Sequence, residues 1–223
     1  MHANTILALA LKSLLNRRIT AALTILAIAV SVMLFVGVER IRQGAEESFE
    51  RTIAGADLVV GARSSPISLI LYSVFHIGDP TNNISWDSYR SIAARPEIAW
   101  AIPLSLGDSH RGHRVVGTNR GFFDHYRFGN DEPLAMAEGA AFSDLFDAVL
   151  GADVAASLGY RVGDEIVLAH GLGEVSFSNH SDKPFRVSGI LKRTGTPVDR
   201  AIHVSLEAIT AIHIGWQSGT RTP

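Results

Sequence analysis

Residues 19–38 form twenty consecutive positions without a charge and without Pro, Asn or Gln. As an α-helix they would rise about 30 Å, the thickness of a bilayer's hydrocarbon core. A helix that is apolar on every face leaves no side for water, so the pattern predicts a membrane span. Upstream, Ile6/Leu7, Ala10/Leu11 and Leu14/Leu15 recur every four residues, among Lys12, Arg17 and Arg18 and no acidic side chain. Residues 1–18 therefore read as an amphipathic helix lying on the membrane surface. The apolar run is longer than a signal peptide's core, and no A-x-A-like cleavage site follows Val38. The basic cluster places the N-terminus in the cytoplasm and everything after Val38 outside it.

The apolar spacing does not stop with the span. Val38, Ile41, Ala45, Phe49 and Ile53 continue at three- and four-residue intervals through otherwise polar sequence, which predicts a stalk over residues 39–55 stopped by Gly55. Ile41, Ala45, Phe49 and Ile53 are the candidate coupling residues, placed to hold this stalk against a partner stalk or the domain. A separate surface helix after a break is the alternative. Within the span, Ala27 and Ser31 lie four apart on one face and are candidates for close helix packing.

From residue 56 onward the texture alternates irregularly, which predicts an α+β domain over residues 56–223, in one body or two lobes. Residues 56–63 read as a strand. Ser65 and Pro66 read as the start of a short apolar helix over residues 67–75, too short to cross a bilayer, that packs on the domain or dips towards the membrane surface. Ser85 caps a helix that ends before Pro96. Residues 99–108 and 113–118 read as strands joined by a turn at 107–112, followed by a short helix over 119–126 and a loop over 129–133. A strand at 148–151 runs into a helix closed by Gly159. Strands follow at 165–169, 175–177, 185–191 and 201–204, and a last helix starts at Ser205 and runs to 214.

Composition narrows the function. The net charge is -2, which gives no electrostatic support for nucleic-acid binding. With no cysteine, disulfide frameworks and thiolate metal sites are excluded. No P-loop, G-x-S-x-G, H-E-x-x-H or G-x-G-x-x-G occurs, so the chain has no P-loop with which to hydrolyse ATP, and neither a catalytic site nor a cofactor is expected. Histidine is the ambiguous signal. His76, His110, His113, His125, His170, His180, His203 and His213 all follow the span. His110 and His113 could chelate a divalent ion if the intervening turn folds back, with Asp79, Asp108 or Asp182 completing a shell. Two ligands alone close no site.

The segments LKSLLNRR, GADLVVGAR, VLGADVAASLGYRVGDEIVL and FRVSGILKRTGTPVDRAIHVSLEAI, together spanning about residues 11–214, resemble the FtsX/MacB-like ABC transporter permeases, a family that includes the LolC/LolE lipoprotein-releasing permeases. The resemblance implies a periplasmic core domain inserted between the first and second of four spans. It implies dimerisation with a second permease copy or a paralogue, and a separate cytoplasmic ABC ATPase. ATP-driven motion would pass through the stalk to export or release envelope substrates, with the main domain on the periplasmic side of the bacterial inner membrane. No second apolar run of about twenty residues follows Trp216, so the chain is expected to be the N-terminal portion of a longer permease. The alternative from another class is a membrane-anchored periplasmic binding or sensor domain, for example for divalent metal.

Overall fold

A computed structural model describes residues 6, 12–13, 16–52, 54–78, 82–170, 182–214, 216–217 and 220–221. Residues 1–48 and 49–223 form two compact units.

The long helix α1 runs without a break over Arg18–Thr52, a rise of about 52 Å. Its part Arg18–Gly44, 27 residues, is long and apolar enough to cross a membrane, and none of it is buried. Met33, Phe35 and Leu34 are all exposed, as a lipid-facing helix requires. Two hydroxyls within it are turned back onto the helix backbone, Thr24 onto Thr20 O at 3.0 Å and Ser31 onto Ala27 O at 2.9 Å. That satisfies polar groups that a bilayer could not. Where the sequence turns polar, Arg42 bridges Glu39 and Glu46 at 2.8 and 3.2 Å. The expected surface helix over residues 1–18 lies largely outside the described residues.

The unit from residue 49 onward is a mixed sheet with helices, so the α+β reading holds. In chain order, α1 is followed by α2 (Pro66–Ser73), α3 (Trp86–Ala93), β1 (Ser105–His110), β2 (His113–Thr118) and α4 (Gly121–His125). Next come β3 (Arg127–Phe128), β4 (Glu132–Pro133), β5 (Met136–Gly139), β6 (Asp147–Leu150), α5 (Ala152–Leu158), β7 (Glu165–Ile166) and β8 (Ala169–His170). Then come β9 (Phe185–Leu191), a 3-10 turn over Pro197–Arg200, β10 (Ala201–Ser205), α6 (Leu206–Ile212) and a separate two-stranded hairpin of β11 (Trp216–Gln217) and β12 (Thr220–Arg221). The sheet order is β5-β9-β6-β10-β2-β1-β8, with β7 on the flank of β9. β10 lies inside it, parallel to β2 and antiparallel to β6.

Alternation along the inner strands sorts the core into two faces. Ile202 and Val204 of β10 and Ala148 and Leu150 of β6 pack with Val154, Ala208 and Ile212 of α5 and α6. The intervening Val149 turns to the other face, among Phe122, Phe142, Leu191 and Val198. Both faces are covered, which is why β6 and β10 are buried along their whole lengths.

The hydroxyls of Ser65, Ser85 and Ser205 each accept the amide proton three residues on, so all three helix starts fall where the sequence places them. Gly159 closes α5 in the left-handed conformation at φ 73°. Other expectations are corrected. Residues 56–63 form no strand: only Ala54 makes an isolated bridge, to Arg127. An apolar run becomes a strand only when a neighbour pairs with it, and none does here. Residues 99–104 are also not strand, whereas β1 runs straight through Gly107, where a turn was expected. The strand absorbs that glycine as an irregularity in the β1–β2 register between Leu106 and Ser109. The expected loop at 129–133 contains half of the small β3–β4 hairpin. The strand expected over 175–177 lies outside the described residues.

Candidate coupling site at the foot of the helix

α1 ends inside the head. Thr52 is only 3% exposed, and the Tyr126 hydroxyl donates to its carbonyl. Two residues later the Ala54 amide donates to Arg127 O at 3.1 Å, and Gly55, at φ 79°, then takes the chain into the left-handed region. Tyr126 owes its place to α4: its amide closes that helix on Phe122 O, and its ring packs 4.9 Å from the Phe122 ring. Burial pushes the phenol up to about 12, against the pull of the Thr196 hydroxyl and with the help of the Asp199 charge. It therefore remains a proton donor at any ordinary pH.

Thr196 and Asp199 belong to the segment Thr194-Gly195-Thr196-Pro197-Val198-Asp199. The Asp199 carboxylate, 2% exposed, accepts from Thr194 N at 2.8 Å, Gly195 N at 2.7 Å and Thr194 Oγ1 at 2.9 Å. Gly195, at φ 73°, supplies the left-handed residue that aims its amide inward. Thr194 Oγ1 and Thr196 Oγ1 are 2.7 Å apart, and Thr196 caps the 3-10 turn on Val198 N. Pro197 opens that turn, with no amide to strand.

Beneath it lies Gly151. A Cβ there would fall 2.3 Å from Val198 O and 2.4 Å from Asp199 O, so only glycine admits the backbone of the 3-10 turn at this distance. Its own amide donates to Ala201 O at 2.9 Å. The segments around residues 151 and 194–199 therefore pack on each other, and one of them reaches Tyr126 at the end of α1. The sequence gives no periodic signal for Tyr126. The hint available in the sequence is the density of Thr, Gly, Pro and Asp at 194–199, the chemistry of a hydrogen-bonded turn.

The residues proposed from helical spacing fall as follows. Ile41 is on α1 and 75% exposed. Ala45 and Phe49 lie within the bounds of α1; Ile53 lies outside the described residues. Ala27 and Ser31 are joined by the hydrogen bond within the helix already described.

The turn between His110 and His113 does fold back: they are register partners across a two-residue turn, with Arg111 and Gly112 at φ 47° and 82°. Their nitrogens are otherwise engaged. His110 Nδ1 donates to Val167 O at 2.7 Å and its Nε2 accepts from Tyr160 at 2.9 Å. His113 Nδ1 faces Arg200 O at 3.3 Å and its Nε2 the Ser157 hydroxyl at 3.4 Å. Asp108 lies 3.8 Å from His213 Nε2; Asp79 and His180 lie outside the described residues. Among the described residues no three His, Asp or Glu side chains gather as a metal site.

His203, in the middle of β10, is fully buried and stacks 4.9 Å from the Phe122 ring. The Val149 backbone favours its protonation slightly, yet neither ring nitrogen has a partner of hydrogen-bond geometry among the described residues. Burial, then the neighbouring His76, lowers it to about 3. His76 is lowered to about 4 by burial and by the charges of Arg114 and Arg200.

Comparison with known proteins adds the following. The family model of the MacB-like periplasmic core domain matches residues 21–221. No curated protein sequence matches. Among solved structures, a domain assigned to a permease protein of Porphyromonas gingivalis matches at 14% identity and a TM-score of 0.34, covering 50% of this chain and 47% of that one. The chain thus spans about half of the solved domain it matches.

Proposed function

The chain belongs to the MacB-like periplasmic core domain family, and on that premise we propose that it forms the first membrane helix, stalk and periplasmic head of an ABC transporter permease. In this reading residues 19–38 cross the bacterial inner membrane with the N-terminus in the cytoplasm, and residues 39–55 form the stalk. The permease pairs with a second copy or a paralogue. A separate cytoplasmic ATPase drives it, and the motion reaches the head to export or release an envelope substrate. The chain's own part is mechanical rather than catalytic.

The observation that carries this reading is the fixed end of α1. A helix transmits displacement along its axis, whereas a flexible linker absorbs it. Here the helix runs unbroken to Thr52, and its last carbonyl is held by a buried phenol whose neighbours, Thr196 and Asp199, belong to a hydrogen-bonded turn. Ile41, Ala45, Phe49 and Ile53 would then steady the stalk against its partner stalk or the domain, and Ala27 and Ser31 would pack helices within the membrane. The test is crosslinking of the full permease in native membranes, followed by extraction and affinity capture through this chain. A P-loop ATPase should be recovered with it; its repeated absence would defeat the transporter reading. Among the described residues no observation favours the metal-sensor alternative, since the imidazoles of the best candidate pair are occupied by protein groups.

A further inference from the structure

Among the described residues of the head, large exposed apolar side chains concentrate in one stretch. Leu58, Val60, Ile67, Leu71, Ile77 and Trp86 all lie there, and Leu58 and Ile67 are 74% and 70% exposed. Between Arg63 and Asp79, residues 64–78 contain no Asp, Glu, Lys or Arg. α2, at the centre of this stretch, buries none of its residues. Tyr72 ties one side of it to the head through Leu106 O, while Ile67 and Leu71, four apart, face outward together. Residues 58–60 adjoin the same surface, because Gly61 lies so close to α2 that a Cβ on it would meet Leu69 Cδ1 at 2.4 Å. The result is an exposed, largely apolar surface on the head, with Asp57 beside residues 58–60 and Arg63 between them and α2.

We propose that this surface, centred on α2 and residues 58–60, seats in the lipid leaflet on the head's side of the membrane that α1 crosses. This rests on the membrane-spanning reading of α1. Three features favour lipid over a protein partner. The stretch follows α1 directly in the chain, so the anchor holds it at high effective concentration near the bilayer. Two of its hydroxyls engage its own backbone: Ser65 Oγ accepts from Ser68 N at 3.3 Å, and Ser73 donates to Leu69 O at 2.6 Å. Lipid demands such internal satisfaction and a protein interface does not. Finally, α2 rises only about 12 Å, too little to span but enough to lie at the headgroup boundary, where the stacked pair Trp86 and Tyr89 would also be at home.

The absence of cysteine allows a direct test. Single substitutions L58C, I67C, M33C and L145C are labelled with an environment-sensitive fluorophore. Each full chain is reconstituted in phosphatidylcholine/phosphatidylglycerol vesicles with or without nitroxide-labelled lipid. Emission at L58C and I67C should be lost to the nitroxide, as at M33C inside α1, while L145C, exposed elsewhere on the head, keeps its signal. Loss at M33C alone would overturn the proposal and leave the anchor standing. No loss at M33C would remove the anchor and the proposal together. If I67C instead crosslinks to a second I67C without quenching by lipid, the occupant is another copy of this chain and the proposal is wrong.

Discussion

The hydroxyl of Tyr126 donates to the carbonyl of Thr52, 74 residues earlier in the chain. One hydrogen bond thus joins the last residue of α1 to the residue that closes α4. Removing only that hydroxyl, by Tyr126→Phe, leaves a buried carbonyl without its donor, at a cost of about 1–3 kcal/mol. Denaturant unfolding should show that loss in the midpoint without a change in slope. Hydrogen exchange at the Ala54 amide should speed up more than at amides of β6, because the damage is local.

Gly151→Ala should be among the most damaging single-methyl additions. The new Cβ would meet backbone oxygens of the 3-10 turn rather than a side chain that could swing away, and overpacking of this kind costs about 1–3 kcal/mol or more. Gly107→Ala, where an added Cβ finds open space, is the matched control. Thermal melts of the two should differ clearly, and equal melting temperatures would contradict the close approach described.

Acid should weaken the head through its buried imidazoles. His203 and His76 are lowered from an ordinary value near 6.5 to about 3 and about 4, so the folded state holds them neutral while the unfolded state binds protons. Their contribution is fully present above about pH 6.5. It falls as pH drops, by up to about 1.4 kcal/mol per pH unit for each group, until the folded-state values are reached. His203→Phe should flatten the slope of stability against pH between about 6 and 4. An unchanged slope would mean the ring is not held neutral.

Proline at Ala45 removes a hydrogen bond and inserts a clash inside α1, at a cost of about 3 kcal/mol. In the assembled transporter Ala45→Pro should leave ATP hydrolysis running while transport stops. Transport at the normal rate with this substitution would end the idea that α1 carries the motion.

Much of the local structure was legible in the sequence. The helix over residues 18–52 follows from unbroken apolarity and then three- and four-residue spacing. Ser65, Ser85, Ser205 and Gly159 mark helix ends because caps are chemistry of one or two residues. What was hidden depends on partners distant in the chain. Residues 58–60 have strand-forming side chains and no strand to pair with, while β1 passes through Gly107 because Leu106 and Ser109 on either side of it pair with β2. Tyr126 carries no helical or strand period that would single it out, and its role exists only because Thr52 and Thr196 arrive beside it. The histidine pair shows the converse: the fold-back that chelation needs is real, but Val167, Tyr160, Ser157 and Arg200 already occupy both rings.

The position of β10 constrains how the head can be made. Residues 201–205 lie between β2 and β6, strands that leave the ribosome far earlier. Until they arrive, neither β2 nor β6 has its shared neighbour, and two unpaired strand edges stay open during synthesis. Such long-range closure is slow and exposes the nascent chain to wrong pairing. A translational stall before residue 201 should therefore yield a protease-sensitive head, and release past residue 212 a resistant one.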